Sequence, residues 1–450
     1  SLLLIISLSL PGLALLGYLF LAASRLKWEG TEFFQSLSIV SALGVLVNYS
    51  LLLIFRDLGL TLAISGLGAG LGLILAAPRV RRLAKARFDW PRAVFLSYLA
   101  GLYGLRIISG PIEEWDPRSI WFFQAKIIFF RGALDSAGWN DPLIGFAHVD
   151  YPKLLPGLAA QVMNAAGYWN EFLPNWSLAL ILFPALAGLV SIIRLRPSSG
   201  LFAGLVLFAS GPWLWNGYLD GPLALYAALA VVFIGQWFSR RRTGDLVAGL
   251  VSAGMTVNLK NEGLMLVLAL VAAAFPLLLL DARQRVSPDR TQNLVGKFLF
   301  LAAVFSGFFL WTGLKQAWGL DNDLLSGTGL GPRLRQTLSD PTAVKLILST
   351  LLFKSGLHVS LFFAALAALG AGLFGHRPGR AALVPLLTLL ISFCGLCLVY
   401  GLTPYDLQWH LDGSAGRTSL PLMTISFGLS YLVLAEAEDH LAGGALETKV

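Results

Sequence analysis

The chain has 450 residues, of which 56% are hydrophobic and only 13% charged, with a mean hydropathy of +0.72. Soluble domains carry about 25% charged residues, so this composition excludes a cytosolic enzyme, a nucleic-acid module and a disordered scaffold. The net charge of +8 lies in loops between apolar runs, where it reports topology and not a polyanionic partner.

From the N-terminus, nearly uncharged runs predict spans at residues 2–23, 33–55, 59–77, 93–109, 172–193, 200–216, 219–238, 246–259, 263–280, 298–313, 356–375, 381–400 and 419–435. The expected fold class is an all-α polytopic membrane protein of about 13 transmembrane helices, with no room for a large soluble domain. The first run has no basic segment before it and is long enough to cross, so it reads as a span and not a cleaved signal. Basic clusters follow odd-numbered spans. Arg79, Arg81, Arg82, Lys85, Arg87 and Arg92 follow the third; Arg194 and Arg196 the fifth; Arg240, Arg241 and Arg242 the seventh. Arg283, Arg285, Arg290 and Lys297 follow the ninth, and Arg377 and Arg380 the eleventh. One orientation satisfies them all, with these loops cytoplasmic. Loops near 56–58, 110–171, 217–218, 260–262, 314–355 and 401–418 are then extracytoplasmic. They hold Glu113, Glu114, Asp116, His148, Asp150, Asp220, Lys260, Glu262, His410 and Arg417. Charge of both signs near membrane depth is costly and tends to mark function.

Residues 110–171 form the longest stretch that does not read as a span. It opens with an acidic turn, Pro111-Ile-Glu-Glu-Trp-Asp116-Pro117. Residues 118–132 follow, strongly aromatic, too short to cross, and carrying Arg118, Lys126 and Arg131. Rings at headgroup level beside basic side chains predict a helix lying in the interface. A third piece is His148-Val-Asp150-Tyr151-Pro-Lys153-Leu-Leu-Pro156, followed by a short apolar helix to about Tyr168. A crossing there would invert the basic-loop pattern from Arg194 onward, so a second juxtamembrane helix is expected. Downstream, Cys394 and Cys397 form a C-x-x-C inside an apolar run. With no second pair they read as small residues on a buried helix face.

An acidic residue in an outer loop, an interfacial helix and then a Tyr-Pro-x-Leu helix resemble the first external loop of the GT-C glycosyltransferases. This superfamily includes the lipid A aminoarabinose transferases and the protein O-mannosyltransferases. Tyr218-Leu-Asp220-Gly-Pro-Leu223 is similar to the family's short second outer loop. Leu259-Lys260-Asn-Glu262-Gly is similar to its Lys-x-Glu-Gly helix junction. Trp409-His410-Leu-x-x-Ser414-x-x-Arg417 is similar to a late His/Ser/Arg element. The resemblance covers residues 93–313 and 401–435. It departs from the family in two ways: three spans precede the acidic loop, and the acids read Glu113-Glu114-Trp115-Asp116 where many members have an adjacent pair. It implies an N-terminal transmembrane block over 1–92, a catalytic module over 93–313 with outer loop 110–171, and a C-terminal region over 314–450 with outer loops 314–355 and 401–418.

The resemblance further implies transfer of a sugar from a polyprenyl-phosphate or polyprenyl-diphosphate carrier, at the outer face of a bacterial inner membrane. The acceptor would be a glycan, lipid or protein. The carrier phosphate is a good leaving group, so the acceptor needs a base more than the donor needs an acid; one carboxylate suffices, with inversion. Asp116 is the first choice, then Glu114 and Glu113. Asp116 is also a candidate helix cap, because Asp-Pro starts helices well. Shielding by Trp115 and Trp121 would raise its pKa. Charge on the departing phosphate needs fixed cations: Lys260 and Arg417 first, then Lys126, Lys153 and His148, with His410 as a hydrogen-bond donor. Lys126 equally suits snorkelling, and Lys260 equally suits a salt bridge to Glu262 or Asp220. Asp220, Asp150, Tyr151, Glu262 and Trp409 are candidates to hold sugar or acceptor. His358, His376 and His440 lack spaced partners, so no metal or other cofactor is expected, although Glu114, Asp116, His148, Asp150 and Asp220 are acids and imidazole enough for a divalent ion if they converged. The Gly-rich run after Asn322 and Asp323 lacks a P-loop lysine and reads as a flap, and residues 340–354 read as an interfacial helix. The competing functions are a transporter or flippase of lipid-linked sugars, which would place charges at the midplane, and a non-catalytic scaffold.

Overall fold

The computed structural model describes residues 8–25, 32–83, 89–111, 113–193, 196–284, 294–322, 329–373, 375–376 and 379–447. Its helices, in chain order, are α1 (Leu10–Ala23), α2 (Phe33–Phe55), α3 (Leu58–Leu83), α4 (Trp90–Ile108), α5 (Phe122–Arg131), α6 (Leu154–Ala166), α7 (Trp176–Ile192), α8 (Pro197–Ser210) and α9 (Asp220–Arg240). They continue as α10 (Thr243–Leu259), α11 (Asn261–Gln284), α12 (Leu294–Ala317), α13 (Leu330–Ser339), α14 (Pro341–Ser349), α15 (Leu357–Leu373), α16 (Arg380–Gly401), α17 (Leu407–Thr418) and α18 (Leu420–Glu447). No strand occurs among the described residues. That is the expected outcome for a chain whose backbone polar groups must be satisfied within each segment.

Each predicted span coincides with a helix, but the count of about 13 crossings is not supported by length and composition. Among the described residues, eight helices are long and apolar enough to cross a membrane, or nine if the pair Pro341–Lys354 and Leu357–Leu373, bent by 65°, is one span. The shortfall lies in α1 and α8 (14 residues each), α10 and α15 (17 each) and the less apolar α4. At about 1.5 Å per residue, fourteen residues reach only some two thirds of a bilayer core.

Packing sorts the helices into an inner and an outer set. The window in α9 is 94% buried, whereas those in α11 and α12 are 39% and 28% buried, so α9 is central and the other two present long apolar faces outward. α1 and α2 approach by backbone contact. A Cβ on Gly17 would sit 1.9 Å from the Val40 carbonyl oxygen, and one on Gly44 would sit 1.8 Å from that of Leu13. Small residues are how membrane helices gain close packing without a hydrophobic drive between them.

Polar contacts divide the loops into two groups. On one face the Asp57 turn pairs with Ala133, Asn140 reaches the Trp318 carbonyl, and Asp116, Asp220, Lys260 and Arg417 gather. On the other, Glu32 pairs with Arg92, Gln35 with Asp245, Ser198 with Glu438 and Arg196 with Asp439. These are the two loop sets that the spacing of basic clusters predicts; we call them the loop face and the arginine face.

Two expectations for the long loop change. The aromatic stretch is a π turn (Pro117–Trp121) running into α5, with Pro117, Ile120, Trp121, Phe122, Gln124, Ala125 and Ile128 buried and Phe130 74% exposed. One side therefore packs on protein. The helix after Pro152 is not juxtamembrane in the sense expected: α6 is buried from Leu154 to Met163. Its Gln161 exchanges amide hydrogen bonds with Asn48 of α2 (2.9 and 3.0 Å), and Asn48 also donates to Ser65 of α3 (3.0 Å). α6 is thus a short enclosed helix, packed mainly on α5 and α7 and joined through Asn48 to α2 and α3 of the N-terminal block. The expected interfacial helix at 340–354 is α14 plus a π turn to Lys354. Asp323 and most of the Gly-rich flap lie outside the described residues.

Candidate functional site

Four separated parts of the chain bring charged side chains together on the loop face. Asp116 stands at the start of the π turn. Its side chain caps no helix, which removes the capping reading; it instead accepts a hydrogen bond and ion pair from Arg417 Nη1. Arg417 lies in the last turn of α17, and its guanidinium also covers the Tyr218 ring at 5.1 Å. Tyr218 directly follows Gly217, which has φ +90°, and a Cβ on Gly217 would lie 2.7 Å from the Pro117 ring. That close approach seats the second short loop against the acidic turn.

Asp220 opens α9, where a carboxylate also suits the helix dipole. It is 2% exposed and accepts from Lys260 Nζ at 2.9 Å. Lys260 is the single extended residue between α10 and α11. Its Nζ also lies 3.2 Å from Glu262 Oε1. The turn is tight because residue 263 is glycine: a Cβ there would fall 1.9 Å from the Thr256 carbonyl oxygen. Burial alone would lower the Lys260 ammonium, but Asp220 and Glu262 outweigh it and hold it raised. Arg417 feels Asp220 as well as Asp116, and Lys260 feels Arg417. The cluster is therefore one electrostatic unit of three carboxylates (Asp116, Asp220, Glu262) and two cations (Lys260, Arg417). Glu262 Oε2 is buried and has no hydrogen-bond partner among the described residues, leaving a spare acceptor.

Glu113 and Glu114 are exposed beside the cluster. Trp115 is 71% exposed and gives Asp116 no shelter; the expected shielding by that ring does not occur, and a guanidinium takes its place. His410 accompanies the cluster through α17: its Nδ1 lies 2.8 Å from Thr403 Oγ1, and its ring lies 4.9 Å from that of Tyr400. Trp409 is 66% exposed beside Tyr405. The sequence did not single out Tyr218 and Tyr400 as site residues. Tyr400 Oη bonds to Ser414 (2.8 Å) and Thr418 (2.9 Å). A lone tyrosine at a span end reads as belt anchoring, so only the Tyr218-Leu-Asp220 spacing gave any signal.

Other candidates fall elsewhere. Lys126 pairs with Glu171 at 2.7 Å and lies 5.6 Å from the Trp169 ring, away from the cluster. His148 takes a left-handed conformation, φ 46°, and stacks on Tyr151, which stacks in turn on Trp121. Lys153 is 0% exposed and cannot meet a lipid phosphate as it stands. Its Nζ donates to Gln124 Oε1 and the Val149 carbonyl, both at 2.5 Å, between the rings of Trp139 (4.8 Å) and Trp311 (4.7 Å). Asp150, 2% exposed, accepts from Asn261 at 2.6 Å and Asn322 at 2.8 Å. It ties the Lys260–Asn261 turn to Asn322. Burial pushes the Asp150 carboxyl up, partly offset by the two amides and by Lys315 and Lys153. Burial pushes the Lys153 ammonium well down, partly offset by Asp150.

Among the described residues, no group of three or more His, Cys, Asp or Glu is placed to hold a metal ion. A small polar cavity on the arginine face, lined by Glu32, Gln35, Ser191, Gln236, Arg242 and Asp245, includes none of the candidate residues. No family model, no curated protein and no solved structure matches this chain.

Proposed function

We propose that the chain is an integral-membrane glycosyltransferase of the GT-C type, moving a sugar from a polyprenyl-phosphate or polyprenyl-diphosphate carrier to an acceptor at the extracytoplasmic face. The observation that carries this reading is the convergence of Asp116, Asp220, Lys260, Glu262 and Arg417 from four distant chain segments at one end of the helices. Charges grouped at helix ends suit a headgroup reaction at the membrane surface. In this reading Arg417 and Lys260 balance the phosphate, Asp116 takes the acceptor proton, and Glu262 and Asp220 hold sugar or acceptor hydroxyls. In-line attack inverts the anomeric centre. Thirteen crossings, the shorter helices included, and a bacterial inner membrane with the arginine face cytoplasmic belong to the same proposal.

The test is transfer by the purified protein in liposomes containing a polyprenyl-phosphate sugar. Asp116→Asn should lower the rate by about 10² to 10⁴, the range for loss of a general base, in a protein that a thermal melt shows to be folded. Full activity in that variant rules out Asp116 as the base. A second reading, movement of a lipid-linked sugar across the bilayer, draws on the 65° break between Lys354 and Leu357, since broken helices are typical of transporters. Carrier movement without sugar release in the same liposomes would favour it.

A further inference from the structure

We infer that the Asp116–Arg417 contact is a latch, in which Asp116 occupies the guanidinium that a lipid phosphate would take and is released when that phosphate arrives. The inference rests on the transferase reading and adds a regulation to its site. Both cations of the cluster are already neutralised: Lys260 by Asp220 and Glu262, Arg417 by Asp116. An anion approaching Arg417 therefore competes with Asp116 for the guanidinium. The two pairs differ in how easily they open. The side chains of Lys260 and Asp220 are 7% and 2% exposed, those of Arg417 and Asp116 24% and 16%. Separating a closed pair leaves buried charge uncompensated, whereas water can take over at the more open one.

The elements carrying the two partners also differ in anchoring. Asp116 precedes a π turn fixed by buried Pro117, Ile120 and Trp121. Arg417 sits on α17, of which only Leu411 and Ala415 are buried. That helix is tied down by hydrogen bonds between Tyr400 and both Ser414 and Thr418, and between His410 and Thr403. Release needs only a change in the side chains of Arg417 and Asp116, with both backbones held in place. The consequence is order: the carboxylate that accepts the proton is occupied until the donor is in place.

The experiment measures binding of polyprenyl monophosphate, carrying no sugar, in nanodiscs of zwitterionic lipid containing the full chain. Asp116→Asn removes the competitor and should bind on the order of fivefold tighter than wild type. Glu114→Gln removes the same charge two residues away without touching Arg417 and should change affinity by less than about twofold. Arg417→Ala should weaken binding by about tenfold or more. Asp116→Ser, carried alongside with a thermal melt for each variant, guards against misfolding of Asp116→Asn. The latch is overturned if neither Asp116 variant binds tighter than wild type, or if Glu114→Gln tightens binding as much. Wild-type binding with no gain at Asp116 overturns the latch alone; no saturable binding by any form overturns the latch and the transferase reading together.

Discussion

Lys153 shows what a charged side chain needs in order to sit inside this protein. Its stem and ammonium are enclosed by Trp139 and Trp311, and two oxygens accept its protons. Its proton affinity falls on folding because burial disfavours the charged form. The unfolded chain then holds a proton on this lysine over a range, ending near pH ~10.4, in which the folded chain does not. Stability from this group rises with pH across that range, and below the folded pKa its penalty is fully present. Lys153→Met should therefore gain most over wild type at the low-pH end, and the difference in melting temperature should shrink as pH is raised toward about 10. A constant difference across pH would mean that Lys153 titrates alike in both states. Asp150, next to it, reads in the sequence as a sugar ligand and in the structure as a clamp on Asn261 and Asn322. No local pattern distinguishes those roles, because both use a carboxylate at the same loop position.

At the scale of elements, α6 adds a polar pin to an apolar interface, whereas α17, with only Leu411 and Ala415 buried, relies on its polar contacts. α6 is anchored by the reciprocal Asn48–Gln161 amide pair, both partners 0% exposed. Replacing either one by leucine strands the other, at a cost of about 1–3 kcal/mol. Asn48→Leu and Gln161→Leu combined should cost less than the two single changes summed, since both orphans are removed together. Melting of the four proteins in detergent closes that cycle, and strict additivity would show that the pair is not coupled. The helix was legible in the sequence as a short apolar stretch after Pro156, slightly later than its start at Leu154. Its burial was not, because hydropathy gives the same score to a surface facing lipid and to one facing another helix. The same blindness applies to α11 and α12, which are as apolar as the central α9 yet far less buried.

For the whole molecule, the contacts already separate a loop face from an arginine face, and the remaining question is which faces the cytoplasm. Single cysteines placed at Glu114 and Arg242, in a background with Cys394 and Cys397 replaced by alanine, should label from opposite sides of intact cells. The positive-inside rule assigns Glu114 to the outside. Labelling of Arg242→Cys, and not Glu114→Cys, by an impermeant reagent would invert the topology and remove the site from the side where the proposal needs it.

Composition, run length and the placement of arginines were enough to determine that this is a helical membrane protein, where its helices lie and which loops share a face. Those properties follow from transfer of short segments out of water, which each segment settles by itself. Tertiary structure alone decided that Asp116 meets Arg417 while Lys153 and Asp150 turn inward, and that α6 is enclosed. Those outcomes depend on how buried charges across hundreds of residues find partners to offset their desolvation, and no single segment contains that information.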